Sequence, residues 1–129
     1  MGSSRELDPL SDNLIKAAIE VHRHLGPGLL ESAYEECLCH ELACAGMSFK
    51  RQVEIPMEYK GIKLNCGFRI DLEVEDKLLI ELKSVEQILP IHKAQLLTYL
   101  KLRDYRRGPI LNFNVELLRD GIKRVANKY

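Results

Sequence analysis

The stretch FRIDLEVEDKLLIELKSV, Phe68 to Val85, decides the fold. Phe68, Ile70, Leu72 and Val74 alternate with Arg69, Asp71 and Glu73; Leu78, Ile80 and Leu82 then alternate with Leu79, Glu81 and Lys83. A period of two belongs to β-strands, whose successive side chains point to opposite faces. EDK, Glu75 to Lys77, supplies the turn between two antiparallel strands. One face of this hairpin is apolar and suits a core. The other gathers Asp71, Glu81 and Lys83. With the turn centred near Asp76, Asp71 stands almost directly across the ladder from Glu81. Facing like charges destabilise a sheet, so the pair calls for a reason.

Upstream, SFKRQVEIPMEYKGIKLNCG adds one more strand to the pair, with YKG as the first turn. Pro56 places that strand at an edge, because proline donates no ladder hydrogen bond. Further upstream, Leu14, Ala17, Ala18, Val21 and Leu25 recur at three- and four-residue steps, an amphipathic helix from about Asp12 to His24. Ser11 or Asp12 is its candidate cap, and GPG at Gly26 to Gly28 ends it. A second helix is expected from about Leu29 to Ala45, closing at Gly46. Downstream, a third helix runs from Pro90 to about Asp104, RRGP breaks it, and ILNFNVELL is a last strand. GIKRVANKY is a basic tail with no assigned element.

The order is helix, helix, three strands, helix, strand. Three strands in a meander plus a fourth rejoining beside a parallel neighbour make an α/β fold, a mixed sheet flanked by helices. Residues 1–11 read as a polar leader and 12–129 as a single domain, a normal size for 129 residues. The hydrophobic fraction of 46% and charged fraction of 29% are those of a soluble globular chain. Nineteen basic residues balance nineteen acidic ones, which excludes polyanion binding by bulk charge; nucleic-acid contact would need a local basic patch. No run approaches membrane-spanning length and no export signal is visible, so the expected location is the cytoplasm. Cys37, Cys39, Cys44 and Cys66 show no CxxC pair and read as free thiols rather than zinc ligands.

Two helices bring further polar residues. Glu31 falls in phase with Tyr34, Leu38, Leu42 and Ala45, on the apolar stripe, where a carboxylate needs a partner. As a first-turn acid it also suits the helix dipole. In the third helix His92, Gln95, Tyr99 and Arg106 share one stripe with Arg103 beside it, while Leu97 and Leu100 face the opposite way. Such a stripe alone reads as a solvated face. Asp71 and Glu81 are close enough to share one hard divalent cation, which takes a few carboxylate oxygens plus waters. A salt-bridged exposed sheet face is the plainer reading. It accounts for Lys83 but not for Glu31.

Asp71 followed by Glu81-Leu82-Lys83 resembles the PD-(D/E)XK nuclease signature, and Gln95 with Tyr99 resembles the QxxxY motif of its recombination-nuclease branch. GLLESAY, Gly28 to Tyr34, matches the motif that names the GxxExxY protein family, and HKAQLLTYLKL and GPILNFNVELLRDGIKR are similar to its later segments. The resemblance runs from about Leu14 to Val125. Ile70 stands where the signature has proline. The resemblance implies a restriction-endonuclease-like core, the same order of elements that periodicity gives. It implies a nuclease in which Asp71 and Glu81 hold Mg²⁺ or Mn²⁺, with Glu31 as a further ligand, directly or through water. It implies that Lys83 orients or activates water and that Gln95 and Tyr99 position the phosphate backbone or the lysine. Lys50, Arg51, Arg103, Arg106, Arg107, Lys123 and Arg124 are then candidate phosphate contacts. The expected substrate is DNA, with a homodimer or protein partner to extend the grip of a small domain. The alternatives are a non-catalytic nucleic-acid-binding module and a protein-interaction module that retain the fold.

Overall fold

The computed structural model describes residues 8–65 and 68–128. Most of the expected leader, and Cys66, lie outside the described residues. The first helix, α1 (Pro9–Leu25), starts earlier than its apolar periodicity alone marks. Asp8 caps it by accepting from the Ser11 N–H at 3.3 Å, and Pro9 suits the first helical position because its missing N–H is needed by no partner there. Helix α2 (Glu31–Cys44) follows the GPG break.

The expected three strands become five. Strand β1 (Phe49–Glu54) is followed by a separate hairpin, β2 (Met57–Tyr59) with β3 (Ile62–Leu64), and then by β4 (Arg69–Val74) and β5 (Leu78–Lys83). Both expected turns are present: Lys60 and Gly61 take positive φ between β2 and β3, as do Glu75 and Asp76 between β4 and β5. After helix α3 (Pro90–Arg103), β6 (Arg107–Asn112) includes RRGP residues expected to lie outside it. The helix ends at Asp104 as expected, where the backbone turns into the left-handed region at φ 59°. The tail residues Ile122–Ala126 form β7, after a short 3-10 turn at Leu118–Gly121.

The main sheet has the order β1-β4-β5-β6-β7. The β1–β4 and β4–β5 pairs are antiparallel, β6 runs parallel to β5, and β7 closes the far edge antiparallel to β6. One face carries Leu72, Val74, Leu78, Ile80 and Leu82 against α1 and α2. The other carries Leu79 and Ile110 against Leu96, Tyr99 and Leu100 of α3. Both sides of the central hairpin are therefore covered, and the plain reading of an exposed salt-bridged face does not hold: Glu73 and Glu81 are buried. Phe68 and Ile70 share one sequence phase with Leu72 and Val74 but pack with the α3 core instead. The change of side falls at Asp71. In the facing strand β1, between the paired residues Arg51 and Val53, Gln52 takes φ 49°. That left-handed residue interrupts the regular pleat at this point.

Candidate active site

The β4–β5 register pairs Leu72 with Ile80, Glu73 with Leu79 and Val74 with Leu78, so the turn is centred on Asp76 as the sequence implies. The ladder ends at Leu72. One step further, the side chain of Asp71 replaces a strand carbonyl: its Oδ2 accepts from the Leu82 N–H at 2.7 Å. Glu81, 8% exposed, lies beside it. Burial, then the neighbouring Asp71 charge, pushes the Glu81 carboxyl well above the usual carboxylate range, while Lys83 draws it down. Two carboxyl groups are thus held together at the end of a ladder, with one lysine as the nearby cation.

Glu35 joins this pair through an amide. Gln52 Nε2 donates to Glu35 Oε1 at 2.8 Å and to Asp71 Oδ1 at 3.3 Å. Glu35 is buried, and its other oxygen accepts from Arg51 Nε at 2.9 Å. The expected stripe of Tyr34, Leu38, Leu42 and Ala45 does not include Glu35. On α2, however, Tyr34, Glu35, Leu38, Cys39 and Leu42 are the buried set, a wider stripe than the one expected. The signal was available in its three- and four-residue steps to Leu38 and Cys39.

Glu31 is the first residue of α2 and is exposed. Helical side chains lean toward the N-terminus, so a first-turn residue overhangs the open end of its stripe and does not press on the core. No described contact links Glu31 to Asp71. Its backbone setting is nevertheless fixed. Tyr34, stacked on Phe113 at 4.4 Å, donates its hydroxyl to the Gly26 carbonyl at 2.6 Å and accepts from the Leu29 N–H at 3.1 Å. Gly28 sits at φ 97°, where a side chain is strained. The glycine and tyrosine of GLLESAY therefore shape the approach to α2, and the Leu29 carbonyl accepts from Ser84 Oγ at 2.6 Å, one residue beyond Lys83.

Asn112, which sequence reading did not single out, staples the other side of that strand end. It is 2% exposed; its Oδ1 accepts from the Val85 N–H at 3.1 Å and its Nδ2 donates to the Val85 carbonyl at 2.9 Å.

Helix α3 differs from its expected phase. Tyr99 is buried with Leu96 and Leu100, while Gln95 is exposed one turn ahead of Tyr99. The Tyr99 hydroxyl is shifted upward by burial, then by Glu81 and Asp71, which sets it near both carboxyls. His92 serves the helix start, its Nδ1 accepting from the Leu89 N–H at 3.0 Å. The apolar sheet face with Ile70, Leu79 and Ile110 turns the tyrosine inward. The candidate phosphate contacts do not gather here. Arg51 pairs with Glu35 and Glu36, Arg103 with Glu73, Arg107 with Asp8, and Lys50 with Asp76. Arg124 donates to Ser11 Oγ at 3.2 Å, and Lys123 is exposed on the same edge strand. Arg106 follows α3 in the turn that lines a recess of about 690 Å³ with the β4–β5 turn and the start of α1. That recess lies at the end of the hairpin opposite the carboxyl pair.

Among the described residues no three His, Cys, Asp or Glu side chains are grouped closely enough to hold a metal by themselves. Asp71 and Glu81 still fit a hard cation, since Mg²⁺ is commonly bound by one or two carboxylates with waters and substrate phosphates completing its shell.

A mixed sheet with helices on both faces, and this carboxyl pair at the end of its central hairpin, is a restriction-endonuclease-like arrangement. The model of the PD-(D/E)XK nuclease superfamily matches residues 8–125, and the chain belongs to that superfamily. No curated protein and no solved structure matches the chain. Among the described residues no helix is long and apolar enough to cross a membrane.

Proposed function

We propose that the chain is a metal-dependent nuclease that hydrolyses phosphodiester bonds in DNA. The observation that carries this reading is the like-charged pair Asp71 and Glu81, held together at a buried strand end inside a nuclease superfamily. Asp71 and Glu81 would hold Mg²⁺ or Mn²⁺, with Glu31 reaching the ion through water from the overhanging start of α2. Bound there, the cation supplies neutralising charge at the phosphate and lowers the pKa of a water in its shell.

The protein's own groups do the rest. Gln52 and the Leu82 N–H fix both oxygens of Asp71. Lys83 offers an ammonium to the negative charge that builds on the phosphate and orients the attacking water. The protonated Tyr99 hydroxyl donates toward the carboxyls or the phosphate, and Gln95, one turn ahead, steadies the backbone of the substrate. GLLESAY supports placement in the GxxExxY branch, and the free thiols of Cys37, Cys39 and Cys44 support a reducing, cytoplasmic setting. The test is incubation with labelled single- and double-stranded DNA and RNA in Mg²⁺, Mn²⁺ or EDTA. Cation-dependent cleavage that Asp71→Ala abolishes is the expected result; binding without cleavage in any metal would make the chain a non-catalytic module.

A further inference from the structure

The β2–β3 hairpin is a separate two-stranded sheet that leaves the main sheet where the site begins. It is inserted between Glu54 and Arg69, the last pair of the β1–β4 ladder, just beyond Gln52 and Asp71. Its root is closed by the Ile55 N–H donating to the Phe68 carbonyl at 3.0 Å, and Phe68 leans on Tyr99 with ring centres 5.9 Å apart. The hairpin is thus braced on the carboxyl site and projects from that end of the sheet.

Its register pairs Met57 with Leu64, Glu58 with Lys63 and Tyr59 with Ile62. Directly paired residues share a face, and faces alternate along a strand. One face is therefore wholly apolar. Met57 and Leu64 are half-buried at its base, while Tyr59 and Ile62 near the tip are 57% and 60% exposed. Lys60, in the turn, sets its Nζ 5.3 Å from the centre of the Tyr59 ring. A three-pair ribbon is marginal by itself, and its tip presents an exposed ring, an isoleucine and a lysine side by side.

Resting on the nuclease reading above, we infer that this hairpin grips a single-stranded segment of the nucleic-acid substrate. An unpaired base stacks on Tyr59 and Ile62, and Lys60, in the adjoining turn, meets a flanking phosphate. An exposed aromatic face with a lysine beside it is the chemistry that binds unstacked strands with little sequence preference. Two tip side chains cannot supply the ~800 Å² per partner of a stable protein interface, whereas they match one base. Bases inside a duplex are already stacked, so the platform discriminates for unpaired ends, gaps or loops.

The test measures fluorescence anisotropy of labelled single-stranded and blunt duplex oligonucleotides in EDTA, where binding is independent of cleavage. Tyr59→Ala is expected to weaken single-strand binding about tenfold, the size of one stacked base. Tyr59→Phe should bind as the wild type, and duplex affinity should change little. Lys60→Ala should flatten the salt dependence by about 0.7. Unchanged single-strand affinity in Tyr59→Ala, equal losses on duplex, or Tyr59→Phe behaving as Ala would each overturn the inference, as would no binding by the wild type. Cleavage assayed on the same samples in Mg²⁺ separates the two readings. Cleavage without a Tyr59 effect removes only the hairpin's role; Tyr59-dependent binding without cleavage keeps the hairpin's role and removes the nuclease.

Discussion

Glu73 and Asp71 occupy one strand, and both lie within reach of residues on α3 and its continuation, yet the molecule treats them oppositely. Glu73 has a fully buried side chain, neutralised by Arg103, whose Nη2 reaches its Oε1 at 2.6 Å, and hydrogen-bonded by the Tyr105 hydroxyl, which donates to its Oε2. Among the described residues Asp71 is held by an amide, a backbone N–H and the neighbouring Glu81 carboxyl, with no cation paired to it. Burying a charge is tolerated where a partner and hydrogen bonds offset the lost solvation. Glu73 satisfies that condition within the chain. The Asp71–Glu81 pair satisfies it within the chain only by holding the Glu81 carboxyl protonated beside Asp71. The contrast separates a carboxylate that serves the fold from one available to a reaction.

The largest effect that tests this contrast is on turnover. Lys83→Ala should reduce cleavage by roughly a hundredfold or more while Mn²⁺ affinity by calorimetry stays near wild type, because a protonated lysine has no lone pair for a metal. Asp71→Ala should lose both together. Normal cleavage by folded Lys83→Ala would break the comparison at its functional end.

Glu73→Ala probes the other end. Leaving Arg103 half-buried without its carboxylate should cost about 3 kcal/mol in chemical denaturation, with little change in turnover per folded molecule. A stable Glu73→Ala protein without activity would reverse the two assignments.

Asp71→Asn should remove any thermal shift on adding Mn²⁺, because it takes away the carboxylate charge a bound cation would neutralise. Equal shifts in wild type and mutant would put the cation elsewhere.

The two sites should also differ in pH dependence. Glu81 has its folded value raised from 4.5, so the stability it contributes is complete below about pH 4.5 and is lost as pH climbs through the raised value. Without metal, Glu81→Gln should flatten that decline. Tyr105 is raised from 10.0 to about 12 by burial and by its bond to Glu73, so its contribution is intact below pH 10 and is lost on approaching pH 12. Thermal melts of wild type, Glu81→Gln and Tyr105→Phe across pH 4 to 11 would show one decline in the acid-to-neutral range and another only in alkali. A shared profile would mean that the two sites are not electrostatically distinct.

Much of this was legible in one dimension. Alternation over Phe68–Val74 and Leu78–Lys83 determined the hairpin, and EDK placed its turn at Asp76, so Asp71 had to face Glu81. Three- and four-residue spacing determined the helices, because side-chain period is a property of local backbone geometry. Only tertiary packing decided the rest. It divided Phe68 and Ile70 from Leu72 and Val74 between two cores, since the interruption at Gln52 lies on the neighbouring strand. It turned Tyr99 inward and left Gln95 outside, because the sheet face under α3 demanded apolar cover. It made β7 from a tail without alternation, since β6 offered an open edge to pair with. And it left Glu31 at the rim while burying Glu35 against Gln52, because which end of a helical stripe overhangs depends on where the helix ends relative to the sheet.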